Sequence, residues 1–385
     1  MTETGFDPYR DEVLDEPFRW YAWLRGQARA YLVEPGGFYA VSRYEDVVTV
    51  TREHATFSST GGVGVQWASH PMMSMYDPPE HSRLRRIVAS AFTPKAIAIL
   101  RQAMVDETQR RLDALLDAGP FDFVTEFAEP LVATIMADVI SLPRELVPHF
   151  RRWSLAITGT LAGNLDPAAG EQDRRALVRA LRDAQRRSEG LLRVLSDASA
   201  AERLTEHELT AFCVLLLVAG FETTVNGMAN GAATLLQHPA AFAALQRSPE
   251  GIARTIEEAL RFDPPVHAFF RNTLRPWTFP DGSVIPEGKK VMVLFASANH
   301  DEERFPQAGT FDPSRPNVDH VAFGHGVHYC IGAPLARSLY DVVLRAFAAC
   351  PRRLEARGEA QRTRNSMLRG FRSMPVELVA AAAGG

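Results

Sequence analysis

One ten-residue stretch constrains this chain more than any other. Phe323-Gly324-His325-Gly326-Val327-His328-Tyr329-Cys330-Ile331-Gly332 sets a single cysteine in a glycine-rich turn. The turn runs into an apolar segment, Ala333–Ala349, with Pro334 placed for the first turn of a helix. A thiolate serves as a ligand only where its pKa is lowered and the anion is screened. Backbone N–H groups do this when the chain wraps closely round the sulfur, and Gly326 and Gly332 permit such a turn without a Cβ clash. The helix would aim its positive end back at the sulfur. The setting suits a thiolate bound to iron. Among haem ligands, cysteine thiolate is the one that pushes electron density onto the metal and favours O–O cleavage.

The rest of the chain reads as mostly helix. Thr93-Pro94 caps an apolar-periodic stretch, Lys95–Leu116, and Thr205 with Glu208 forms a capping box before an apolar segment running to about Leu236. Ser248-Pro249-Glu250 opens another helix that ends near Asp263-Pro264-Pro265. Strand signals are few: Phe38–Val41, and a hairpin over Thr278–Leu294 around two Pro/Gly turns. Asn299–Val321 has no periodicity and is expected to be a long ordered loop. With no interior linker or repeat, residues 1–385 are expected to form one domain.

A net charge of −4 argues against nucleic acid as a partner. The longest apolar run, Ala211–Phe221, falls short of the ~20 residues of a membrane span. The first residues are polar and acidic, without the basic and apolar regions of a signal peptide. A soluble, cytoplasmic protein is the expectation. Cys213, Cys330 and Cys350 are too few for a disulfide framework, and Cys213 and Cys350 read as small core residues.

Inside the long apolar segment stands Ala219-Gly220-Phe221-Glu222-Thr223-Thr224. A mid-helix glycine costs about 1 kcal/mol relative to alanine and needs a reason. Either it serves packing, or, with Thr223 and Thr224 bonding back to earlier carbonyls, it loosens the ladder and admits a small molecule. The carboxylate and hydroxyl beside it suit proton delivery. A rival reading takes His320, His325, His328 and Cys330 as a zinc site; their spacing is not a common zinc pattern. Gly61-Gly62-Val63-Gly64 lacks the Lys-Ser/Thr of a phosphate loop and reads as a flexible piece of a substrate entrance.

Phe323, Gly326, Cys330 and Gly332 match the haem-binding signature of the cytochrome P-450 superfamily, and the chain resembles its soluble bacterial members from about Asp77 to Pro375. The resemblance implies a mainly α fold with a small β region and haem b between the long helix and the cysteine-loop helix, with Cys330 as the iron ligand. It implies Glu222 and Thr223 as the acid–alcohol pair, with Ala219 and Gly220 beside the haem. His81, Arg85, Arg271 and His328 match the positions that hold the haem propionates. Glu258, Arg261 and Arg315 match a buried structural cluster. Such an enzyme activates dioxygen and takes electrons from a ferredoxin or flavodoxin with its reductase, and Arg83, Arg86 and Arg337 are candidates to steer that partner. A monomer is expected. The alternatives are a peroxide-driven haem-thiolate peroxygenase and a non-catalytic haem-binding or sensor protein.

A nearer likeness is to the bacterial group that hydroxylates or demethylates para-substituted benzoates, carried by Phe57-Ser58-Ser59, Glu222–Gly227, Val266–Arg271 and Leu368-Arg369-Gly370. That group binds its substrate carboxylate through an arginine and serines, where this chain has Gly62, Gln66 and Leu215. A buried acid without donors is costly. The expected substrate is therefore a small, mostly apolar molecule, aromatic rings included, to be hydroxylated or O-dealkylated. Val65, Trp67, Met73, Leu215, His267, Phe269 and Met367 are the candidate pocket residues.

Overall fold

A capping box starts the helix around which the fold is built. In the computed structural model, which describes residues 5–66, 72–89, 92–140, 142–161, 171–185, 197, 204–316 and 318–380, Glu208 N–H donates to Thr205 Oγ1 at 3.2 Å. Glu208 Oε2 in turn accepts from Thr205 N–H at 2.7 Å. The helix then runs unbroken over Glu206–Gln237. By length and composition it would suit a bilayer, which the count of consecutive apolar residues understated. Here it is a core helix, packed by Phe150–Leu161, Glu129–Val139 and Ile252–Phe262. Its apolar side chains join those of Pro94–Leu115 and Ala333–Ala349 in the largest hydrophobic cluster. Thr93 caps the first of these two, its Oγ1 accepting from Ala96 N–H at 3.3 Å.

The β region lies to one side. A five-stranded sheet has the order Tyr31–Val33, Phe38–Val41, Lys290–Leu294, Ala268–Thr273, Phe57–Ser58. Lys290–Leu294 pairs parallel with Phe38–Val41 and antiparallel with Ala268–Thr273, and is buried along its whole length, as its continuous apolar run requires. The expected hairpin over Thr278–Leu294 is only half there. Trp277–Thr278 pairs with Val284–Ile285 around the first turn. At the second turn Gly288, with φ +75°, donates to Thr273 O at 2.8 Å and sends the next strand to Ala268–Thr273 instead. A three-stranded sheet joins Phe121–Asp122, Pro375–Ala380 and Arg352–Ala356.

The described part of the long loop is held by buried charge. Glu258 and Arg261 are 0% exposed and 2.7 Å apart. Arg261 also donates to the carbonyls of Asn299, Ala308 and Thr310 at 2.9, 2.8 and 3.1 Å. Arg315 reaches Glu258 at 3.3 Å. Every charge here has a partner, which makes such a burial tolerable. The cluster fixes the segment that leads into the cysteine loop.

Candidate active site

Cys330 is placed by its own loop. Its N–H donates to Phe323 O at 2.9 Å, closing the turn, and Gly324 and Gly326 adopt φ +71° and +72°. A Cβ on Gly326 would lie 2.5 Å from Thr51 O, so only glycine fits there. Gly332 has an ordinary φ of −82° and caps the helix Ala333–Ala349, so it is not the turn-former that the sequence suggested. Burial pushes the Cys330 thiol up. The N–H groups of Gly332 and Ala333 and the guanidinium groups of Arg85 and Arg337 pull it back toward the thiolate. A cation at the sulfur would decide that contest outright.

The sulfur opens on a cavity of about 320 Å³ between the cysteine loop and the long helix. Cys330 is the only cysteine on its wall; Cys213 and Cys350 are buried elsewhere. A larger cavity, about 720 Å³, lies beyond Gly227, and among the described residues no cysteine or histidine lines it. On the wall of the first stand Ala219, Gly220 and Thr223 from the long helix, and Phe323 and Gly332 from the loop. Thr223 Oγ1 donates to Ala219 O at 2.6 Å, the back-bond read from the sequence. The local opening of the helix did not follow. A Cβ on Gly220 would come within 2.5 Å of Met136 Cε, so this glycine is where a second helix packs. Glu222 is not on the wall. It faces the helix Phe150–Leu161, where Ser154 Oγ donates to its Oε2 at 3.4 Å. Burial raises the Glu222 carboxyl; hydrogen bonds from Thr158 and Ser154 and the charge of Arg151 oppose the rise.

His81, Arg85, Arg271 and His328 converge at the same cavity. The His81 and His328 rings lie 4.2 Å apart, and His328 Nε2 is 3.1 Å from Ser59 Oγ. Burial pushes His81 down to about 4, which leaves it neutral near pH 7, and lowers Arg271 to about 10, which leaves it a cation there. Among the described residues Arg271 donates only to Phe270 O, at 2.9 Å, and the buried His81 Nδ1 has no hydrogen-bond partner.

Met73, Leu215, Phe269 and Met367 line the cavity; Trp67 lies outside the described residues. Two candidates are off the wall. Val65 packs against the Phe6–Tyr21–Phe38 cluster, and Val63 takes the wall position. His267 is buried against Tyr21, with Nδ1 2.9 Å from the Tyr21 hydroxyl. Gly61–Gly64 is not free either, because the carbonyls of Gly61, Gly62 and Gly64 hold the Lys290 ammonium at 3.1, 3.2 and 3.0 Å. Arg83 is engaged by Glu80 and Glu208, and Arg337 by Glu257 at 2.7 Å; of the three partner-steering candidates Arg86 is the exposed one. No three zinc-type side chains meet among the described residues: His320 lies against Glu257 at 3.2 Å and His325 against Arg52 at 3.2 Å. The sequence reading missed Ser154, Thr158 and Phe295; the Arg151/Ser154/Thr158 spacing on an apolar helix was the available signal.

The cytochrome P-450 family model matches residues 252–347. Cytochrome P-450 107B1 of Saccharopolyspora erythraea is 39% identical over 316 residues, covering 80% of this chain and 77% of the relative. The chain belongs to the cytochrome P-450 family. The likeness to the benzoate-oxidising group is seen in part, in CYP199A2 of Rhodopseudomonas palustris, 30% identical over 98% of this chain and 94% of that one. The P-450 fold is shared with the solved structure of CYP109Q5 from Chondromyces apiculatus, with a TM-score of 0.88, 30% identity and coverage of 99% and 100%. As a P-450 the protein is a haem-thiolate monooxygenase, and its cofactor is haem b on a cysteine thiolate. The residues present fit that group. The orphaned His81 Nδ1 and the under-bonded, buried Arg271 are donors waiting for an anion, and the propionates of haem are anions.

Proposed function

We propose that this P-450 oxidises a small, neutral, mostly apolar molecule, aromatic rings included, by hydroxylation or O-dealkylation. The observation that carries the reading is the character of the wall. Leu215, Met73, Phe269, Phe295 and Met367 are apolar, and the only lining arginines among the described residues, Arg85 and Arg271, are those assigned to the haem propionates. A substrate carboxylate would find no free cation there.

Bound haem supplies activation of dioxygen and insertion of one oxygen atom. Cys330 holds the iron, screened by the Gly332 and Ala333 N–H groups. His81, Arg85, Arg271 and His328 orient the cofactor through its propionates. Leu215 and Phe269 exclude water and turn the reacting carbon inward. Thr223 stands on the cavity wall with its hydroxyl proton held by Ala219 O and its oxygen left as an acceptor, while Glu222 stores the proton that the oxygen chemistry consumes. Electrons come from a ferredoxin or flavodoxin with its reductase, in the cytoplasm, to a monomer. Titration of the haem spectrum with neutral alkyl aromatics and with their carboxylated counterparts tests the substrate class. Spectral shifts with the neutral set alone are expected; tighter binding of the acids would overturn the reading.

A further inference from the structure

A lysine is almost never buried without partners, yet Lys290 is buried at the start of the central strand of the five-stranded sheet. Its ammonium carries three N–H donors and no acceptor. It meets three carbonyl oxygens of one short loop: Gly61 O at 3.1 Å, Gly62 O at 3.2 Å and Gly64 O at 3.0 Å. That loop passes through two glycines in the left-handed region, Gly61 at φ +85° and Gly62 at φ +98°, and so turns its carbonyls toward a single nitrogen.

The other carbonyls of the loop are taken by the adjacent strand, Ala268–Thr273. Asn272, which stands opposite Lys290 in the strand pairing, donates its Nδ2 to Thr60 O. The Phe270 N–H donates to Val63 O at 2.8 Å. Every carbonyl from Thr60 to Gly64 is thus bonded to the sheet, and Lys290 makes the three charge-assisted bonds of the set. The consequence lies at the cavity. Val63 stands on its wall beside Phe269 and Arg271, whereas Val65 packs away against the Phe6–Tyr21–Phe38 cluster, and Lys290 itself is not on the wall.

We propose that Lys290 is a positioning residue for substrate specificity: through the Gly61, Gly62 and Gly64 carbonyls it holds the loop so that Val63 faces the substrate. This rests on the reading of the cavity as the place where a neutral, apolar substrate binds. Without the ammonium three inward carbonyls lose their donors, and the loop turns elsewhere to satisfy them.

The test uses N-alkylimidazoles from methyl to hexyl, whose free ring nitrogen takes the haem iron and whose tail lies against the cavity wall. Affinity is read per haem from the Soret shift. Lys290→Met keeps an unbranched stem and removes the donors. With the loop left about a tenth of its time in the conformation seen here, the longer-tailed ligands bind about tenfold more weakly. Lys290→Ala behaves alike, and n-propylammonium, the fragment that it deletes, restores binding. Tetramethylammonium, a cation without N–H donors, does not. Wild type in the same salts is the reference for amine binding at iron. Gly62→Ala disturbs the loop with Lys290 in place and gives the same loss, so the test stands even where a Lys290 variant fails to load haem. Wild-type affinities in Lys290→Met or in Gly62→Ala overturn the proposal. So does a Lys290→Ala loss that the two salts repair equally or not at all. Val63→Ala separates the two readings. If it leaves the alkyl series unchanged, the cavity is not where the tail lies; if it alone changes the series, the cavity stands and the fault lies with Lys290.

Discussion

Changing Glu258 to glutamine would remove one charge from a fully buried cluster and leave two guanidinium groups facing a neutral amide. Its carboxylate accepts from Arg261 at 2.7 and 2.8 Å, from Arg315 at 3.3 Å and from the Asp312 N–H at 3.0 Å. Glu258 and Arg261 are both 0% exposed, so water cannot take over the lost interactions. Breaking a buried pair in this way costs about 3–5 kcal/mol. For a chain of 385 residues the unfolding entropy near the midpoint is about 0.8 kcal/mol/K, so the melting temperature should fall by about 5 °C. The cluster also anchors the Asn299–Thr310 carbonyls upstream of the cysteine loop, so haem should be retained less well. The assay is thermal unfolding at one fixed scan rate and matched haem content. Arg364→Ala is the control: Arg364 pairs with Asp11 and Asp15 at half-exposed positions and should shift the midpoint by about 1 °C or less. A Glu258→Gln midpoint within that same margin would refute the reasoning.

Two further outcomes follow from the site. Leu215→Arg places a cation on an apolar wall and should create affinity for carboxylated aromatics at the expense of neutral ones, read as haem spectral shifts; no gain for the acids would count against the wall assignment. Although burial opposes it, pairing with Arg337 and His320 holds the Glu257 carboxyl down to about 2 from its usual 4.5. Because the folded pKa is the lower one, this pair's contribution is full above pH ~4.5 and is lost as pH falls toward ~2. Glu257→Gln should therefore flatten the acid limb of stability in that window, and an unchanged acid midpoint in urea titrations would contradict it.

What was legible in the sequence was local. The Thr93 and Thr205 caps, the strand Phe38–Val41 and the helix Ala333–Ala349 rest on residues a few positions apart, so their signals stand together in the chain. The cysteine loop is equally local, since Gly326 answers to its own φ as well as to Thr51. What was hidden depended on partners distant in sequence. Period two would put His267 on the face of Phe269 and Arg271, but the strand begins only at Ala268, and the His267 N–H is drawn to Met367 O at 2.7 Å. Val63 and Val65 lie in a loop, where no period tells which one faces inward. The helix Tyr44–Arg52 has no side-chain cap to be read, whereas the π-helical turn Phe123–Ala128 is capped by Asp122, whose Oδ1 accepts from the Val124 and Thr125 N–H groups at 2.9 and 3.0 Å, a local signal that went unread. Glu222 was found from its motif, but the helix that receives it could not be, because that contact spans 68 residues of sequence.

The central claim is that Cys330 carries the haem iron as a thiolate. The reduced carbon monoxide difference spectrum of the purified protein, beside that of Cys330→Ser, tests it most directly. The account predicts a strongly red-shifted Soret band in the wild type and its absence in the variant. A wild type without haem, or a band that survives the loss of Cys330, would contradict it.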